Sequence, residues 1–140
     1  MIVKNEAPVI RRCLDSVLPL LSHWVIVATG STDGTQDLLR AHPAHLPGTL
    51  HERPWVDFAH NRSEALALSR PQADYSLVID ADDFLEPIDP NTLTELTNDC
   101  YSLNIVDPRA LYIRKQLFHN RLPWRMRRNA DGARHRDAKT

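Results

Sequence analysis

Glycine is scarce in this chain, with four residues against ten prolines. That ratio excludes a flexible, low-complexity chain and points to connections punctuated by proline. Cysteine is scarcer still. Cys13 and Cys100 fit neither a zinc spacing nor a disulfide framework, and read as small, buried apolar side chains of a reducing compartment. Long apolar runs are missing too. The most apolar stretch, VLPLLSHWVIVATG, is interrupted by Pro19, Ser22 and His23 and is too short to span a bilayer. No basic segment precedes an apolar one at the start, so no signal peptide is read. No internal repeat is evident. What remains is ordinary for one soluble domain: 140 residues, 42% hydrophobic and 25% charged.

The net charge of −1 conceals an asymmetry. Residues 1–119 carry 10 Lys and Arg against 16 Asp and Glu, a balance of −6, whereas residues 120–140 carry 7 against 2, or +5. The acidic body, with no platform of interleaved aromatic and basic residues, argues against nucleic acid as a partner.

Periodicity gives the coarse architecture. Met1-Ile2-Val3 reads as a stub of strand. Ile10, Leu14, Val17 and Leu21, with Val9, Cys13 and Leu18 beside them, follow helical spacing, and Pro8 is tolerable in a first turn. WVIVAT reads as a buried strand. GSTDGTQDLLRAH offers capping oxygens on Ser31, Thr32 and Asp33 ahead of a short helix. TLHERPW reads as a third strand, and DFAHNRSEALALSR as a third helix capped by Asp57. DYSLVID is the fourth and clearest strand. A short helix at PNTLTELT and two strands at CYSLNIV and ALYIRKQLF follow. Strands alternating with helices predict βαβ units and a mainly parallel sheet with helices on its faces.

In such sheets ligands bind beyond the carboxyl ends of the strands. That rule brings Lys4-Asn5-Glu6, the segment from Ala28 to Asp33, and Asp80 to Asp83 to one rim. In the last, three carboxylates end an apolar run. Asp80 and Asp82 are two apart, so in a continued strand they share a face. Hard cations such as Mg²⁺ and Mn²⁺ take oxygen ligands, and one or two carboxylates suffice when a substrate phosphate completes the sphere. From the four letters DADD alone, a solvated acidic turn with Asp83 as a helix cap is the better reading. An EF-hand is excluded, because the fifth position is Phe84 and no glycine follows. GSTDGT is no Walker loop, lacking the lysine and the spacing.

Taken together, MIVKNE, WVIVATGSTDGTQDLL, DFAHNRSEALALSR and YSLVIDADD resemble the family 2 glycosyltransferases with the GT-A fold, in the bacterial branch that opens with Met-Ile-Val-Lys-Asn-Glu. The resemblance covers residues 1–125 and reverses the reading of the acidic turn. It implies a three-layer αβα, Rossmann-like architecture with a mainly parallel central sheet, incomplete at both ends. It implies sugar transfer from a nucleotide-diphosphate donor, a UDP-sugar first among them, to a hydroxyl of a glycan or glycolipid, with inversion and dependence on Mg²⁺ or Mn²⁺. Carried over by position, Asn5 and Glu6 lie on the donor loop and Arg62 faces the diphosphate. Asp80-Ala81-Asp82 matches the DxD motif, with Asp80 near the ribose and Asp82 on the metal. The location implied is the cytoplasm or the inner face of a membrane.

Plainer readings stand beside these. Glu6 also suits the start of a helix and its dipole, Arg62 a helix surface, Asp33 a turn, and His60 and Asn61 a solvated helix face. The chain also departs from the family's pattern. Ala28 stands where the family usually has an acid that contacts the nucleoside, a charged hydrogen bond worth about 1.5–3 kcal/mol. The first strand is short. After Arg125 the family's continuation gives way to a basic segment, residues 126–140, read as a disordered tail and best explained by an altered reading frame or truncation. A basic arm and a docking segment are the other readings. No general base is assignable, although Glu86 and His135 are available acid–base types. The alternative to an active enzyme is a non-catalytic remnant retaining only a nucleotide and metal pocket.

Overall fold

The computed structural model describes residues 1–43, 45–127 and 133–134. The chain divides into two compact units. The first joins Met1–Val56 to Ile79–Leu96, and the second joins Asp57–Val78 to the chain from Thr97 onward.

The first unit carries the parallel sheet. Strands β1 (Ile2–Val3), β2 (Trp24–Ala28) and β3 (Gly48–Glu52) pair in the order β1-β2-β3, all parallel. β2 is central, and Ile26, Val27 and Ala28 are all buried although neighbours in a strand point to opposite faces. Burial on both faces explains why this strand reads as an unbroken apolar run. Helix α1 (Ile10–Val17) buries Ile10, Cys13, Leu14 and Val17, the i, i+3, i+4, i+7 face expected. It begins two residues after Pro8, since the Glu6 carbonyl accepts from both Val9 and Ile10 and closes a turn around the proline. It runs into a 3₁₀ turn at Leu18–Leu20, where Pro19 has no N–H to continue the α ladder. Helix α2 spans Thr35–Ala41. Val3, Ile10, Leu14, Leu18, Ile26, Ala28, Leu39 and Ala81 form the core. The PNTLTELT helix is a 3₁₀ turn, Pro90–Glu95, which buries no side chain.

The second unit is organised differently. Helix α3 (Phe58–Ser69) starts at Asp57, whose carboxylate accepts the His60 amide at 2.7 Å, as the sequence led us to expect. Strand β4 (Tyr75–Leu77) lies beside β6 (Ala110–His119), which forms a hairpin with β5 (Cys100–Asp107). Both pairings are antiparallel. The mixed α/β class stands, but parallel pairing is confined to β1–β3 among the described residues. β4 differs from expectation because the adjacent ten-residue β6 returns through a tight turn and presents antiparallel partners to it.

Phe118, Leu66, Cys100 and Trp124 form the second core, with the Phe118 and Trp124 rings 5.0 Å apart. A buried polar knot lies beside it. Asn120 accepts from the Ser76 hydroxyl and donates to the Ala73 carbonyl, satisfying both ends of its amide. Strand β7 (Arg125–Met126) pairs with β8 (Ala133–Arg134), and the Met126 amide donates to Ser63 Oγ on α3. The rest of the basic segment, residues 128–132 and 135–140, lies outside the described residues.

One contact in the parallel sheet has a direct consequence. Gly48 lies opposite Trp24 across the β2–β3 ladder, and the indole, donating to the Leu46 carbonyl at 3.1 Å, covers it so closely that a Cβ would clash with the ring. Gly48→Ala is therefore expected to destabilise the chain by about 1–3 kcal/mol, the usual penalty for overpacking. Urea unfolding monitored by tryptophan fluorescence measures it, and an unchanged midpoint would contradict the packing.

Candidate functional site

The loops that follow β1 and β2 are tied together atom by atom. Asn5 has φ 54°, a left-handed conformation that asparagine tolerates better than most residues. Its amide donates to Ser31 Oγ at 3.0 Å, and its Oδ1 accepts the Thr32 amide at 2.8 Å. The Glu6 amide donates to Thr35 Oγ1 at 3.0 Å and the Ala7 amide to Asp33 Oδ2 at 3.1 Å. Asp33 Oδ1 accepts from the amide and hydroxyl of Thr35, at 3.1 and 2.5 Å. The Thr35 hydroxyl first, then the Ala7 and Thr35 amides, hold the Asp33 carboxyl below its ordinary pKa. Asp33 is therefore the loop's fastener, in keeping with its plainer reading. Asn5 likewise spends its side-chain oxygen on Thr32.

The acidic turn belongs to the same unit. Burial alternates along it: Ile79 and Ala81 are buried, the latter 4% exposed, whereas Asp80 is partly exposed and Asp82 exposed. The alternation keeps Ala81 in the core and leaves the two aspartates outside it. The Asp83 amide donates to the Asp80 carbonyl at 3.1 Å, closing a turn, and no helix starts there for Asp83 to cap. Glu6 registers the company it keeps. Burial foremost, then the charges of Asp82, Asp33 and Asp80, push its carboxyl above the ordinary value. The Glu6 and Asp82 carboxylates accept no hydrogen bond from any described residue.

Three residues that sequence reading did not assign to the site hold this turn by its backbone. Arg12 donates from its guanidinium to the Asp82 carbonyl at 2.8 Å and lies 5.0 Å from the centre of the Phe84 ring. The Cys13 thiol donates to the Asp80 carbonyl at 3.4 Å. Ser16 Oγ accepts the Leu85 amide at 2.9 Å while donating to the Cys13 carbonyl at 2.6 Å. Burial, reinforced by the charge of Asp83, pushes the thiol up to about 12, so Cys13 stays protonated and serves as a hydrogen-bond donor and not as a nucleophile. Arg-Cys-x-x-Ser on a helix carries no signal of its own, because what it grips is almost 70 residues away.

The remaining candidates are dispersed. Ala28 is at the end of β2, fully buried in the core, with its carbonyl accepting the Arg53 amide. Arg62 is on α3 in the second unit, its guanidinium 5.4 Å from the Phe58 ring. His60 is exposed as a solvated helix face requires, but Asn61 is wholly buried, which overturns that reading for it. Glu86 is exposed, and His135 lies outside the described residues.

Among the described residues, no group of three or more His, Cys, Asp and Glu side chains is arranged to hold a metal ion by itself. Uncommitted carboxylates of like charge are nevertheless the oxygen donors that Mg²⁺ or Mn²⁺ takes when a diphosphate supplies the rest of the sphere. The residues present fit that kind of shared coordination. No helix among the described residues is long and apolar enough to cross a membrane.

A loop-lined acidic rim on a parallel α/β sheet defines a class of protein, and comparison with known families narrows it. Residues 1–139 match the family model for glycosyl transferase family 2, and the chain belongs to that family, with its GT-A fold. The match runs past Arg125, where the sequence reading set the limit of the resemblance. Over 85 residues the chain is also 36% identical to a TPR repeat-containing protein of Synechococcus elongatus, a stretch covering 61% of this chain and 20% of that protein. The chain thus spans about a fifth of that relative's length.

Burial of Glu6, reinforced by the carboxylates around it, makes stability depend on pH. Because the folded-state pKa of Glu6 is raised, its contribution to stability is fully present below the ordinary value of 4.5 and is lost as pH rises through the raised one. In metal-free buffer Glu6→Gln should therefore raise Tm at neutral pH. The gain over wild type should vanish as pH falls below the ordinary carboxylate range. A gain independent of pH in calorimetric scans would refute the repulsion.

Proposed function

We propose that the chain transfers a sugar from a nucleotide-diphosphate sugar, a UDP-sugar first among the candidates, to a hydroxyl of a glycan or glycolipid. The acceptor oxygen forms a bond to C1 of the sugar as the bond from C1 to the phosphate oxygen breaks, with inversion. The acceptor proton passes to a base that none of the described residues supplies by position. The observation that carries the reading is the alternation about Ala81, which leaves Asp80 and Asp82 outside the core, in the field of Glu6.

Asp82, assisted by Asp80, would hold a Mg²⁺ or Mn²⁺ ion, which when bound offsets charge on the departing nucleoside diphosphate. Within the first unit, the resemblance assigns Asp80 to the ribose and the loop at Asn5 and Glu6 to the donor. Asn5 takes part through the loop it stiffens, since its oxygen is already engaged by Thr32. Ala81 takes part through its backbone, since its side chain is in the core.

A second reading rests on Ala28. With an apolar residue where the family usually has an acid, and no base placed among the described residues, the chain would be a remnant that keeps a nucleotide and metal pocket without turning over. Calorimetry with UDP, GDP and dTDP, each with and without Mn²⁺, tests both. Mn²⁺-dependent binding of one nucleotide, abolished by Asp82→Ala, is the expected result, and binding of none overturns the proposal. Release of UDP from a labelled UDP-sugar then separates turnover from binding alone.

A further inference from the structure

We infer that Arg12 is a positioning residue for the acidic turn, fixing the direction of Asp82 through its peptide bond. The inference rests on the donor-binding reading of that turn and adds residues to it. Arg12, Cys13 and Ser16 lie within little more than one turn of α1 and take hold of the backbone at residues 80, 82 and 85, on both sides of the Asp82 side chain. The contacts differ in what they fix. Cys13 and Ser16 set where the turn enters and leaves α1. Arg12 alone engages the carbonyl of Asp82 itself and so sets the plane of the peptide from Asp82 to Asp83.

The planar guanidinium also lies near the Phe84 ring, two residues further along the same turn. One side chain thereby links a backbone acceptor to an aromatic face, and the ring restricts the rotamers from which the hydrogen bond is made. Among the described residues, none gives the Asp82 carboxylate a hydrogen bond to direct it. It is exposed, and its charge is felt by Glu6. Without a tie on its peptide, the turn is free to relax away from its neighbours, and two carboxylates that must converge on one ion would diverge. Outer groups that orient a ligand commonly change metal affinity by about 10–100-fold when removed.

The test uses the full chain with Mn²⁺ and UDP as probes, free Mn²⁺ being read by electron paramagnetic resonance. Hydrogen exchange over residues 80–85 supplies a readout that does not depend on binding. Arg12→Met keeps the length and the contact with Phe84 but neither the charge nor the donors. Arg12→Gln restores a neutral donor. Arg12 is exposed, so neither change should disturb the core. Arg12→Met should weaken Mn²⁺ binding by about 10–100-fold and speed exchange across the turn, and Arg12→Gln should recover part of both. Wild-type affinity or wild-type exchange in Arg12→Met overturns the inference alone. Absence of Mn²⁺ binding by the wild-type chain overturns the donor reading and the inference with it. Equal loss in the two variants assigns the effect to charge and overturns the positioning role.

Discussion

Mutual repulsion of carboxylates is the constraint from which the first unit's architecture follows. Glu6, Asp33, Asp80 and Asp82 come from three separate segments, and close like charges destabilise any arrangement that collects them in low-dielectric surroundings. The chain meets that cost with hydrogen bonds made almost entirely to backbone groups. The Asp33 carboxylate is stabilised in its charged form by donors from Thr35 and Ala7. The acidic turn is anchored by Ala81 in the core and by three side chains of α1. Among the described residues, Glu6 and Asp82 are left with neither donor nor counterion. Such a set of charges is costly without a cation, and its carboxylate oxygens are the donors that the proposed function would use.

The two loops after β1 and β2 carry a further consequence of that constraint. A left-handed backbone at Asn5 is needed to turn the chain from the short strand into the loop, and the same residue's side chain bonds the neighbouring loop. Local strain and tertiary contact are thus joined in one residue. The bonds from Glu6 and Ala7 to Thr35 and Asp33 then register one loop against the other, so the carboxylate of Glu6 is carried on a framework and not on a free segment.

Much of this was legible in the sequence, for identifiable reasons. Periodicity located α1, which buries the face its spacing shows, and an unbroken apolar run located β2, which is buried on both faces. Asp57 was legible as a cap because capping is local chemistry. The acidic turn stood out because carboxylates rarely end an apolar run. The partner of β4 was not legible: whether a strand pairs parallel or antiparallel depends on which distant segment returns beside it. Nor was the grip of α1 on the turn, since Cys13 reads the same whether or not its thiol meets a carbonyl almost 70 residues on. Asn61 misled for a related reason, its burial being set by tertiary packing that a polar letter on a helix does not announce.

Ala28 takes on a different meaning once its surroundings are known. As a letter it is the loss of an acid that touches the nucleoside, and so a weakness in donor binding. In the fold it is fully enclosed, its neighbours across the sheet are Val3 and Glu52, and its side chain helps to seal the core. A carboxylate added at this position would enter that apolar packing or force its way to a rim that already holds uncompensated charge, and either course is costly. The core has therefore closed around the smaller residue. A single reversal to aspartate would disturb the unit before it could restore a contact, so the departure from the family's pattern at this position is a property of the whole β2 environment and not of one side chain.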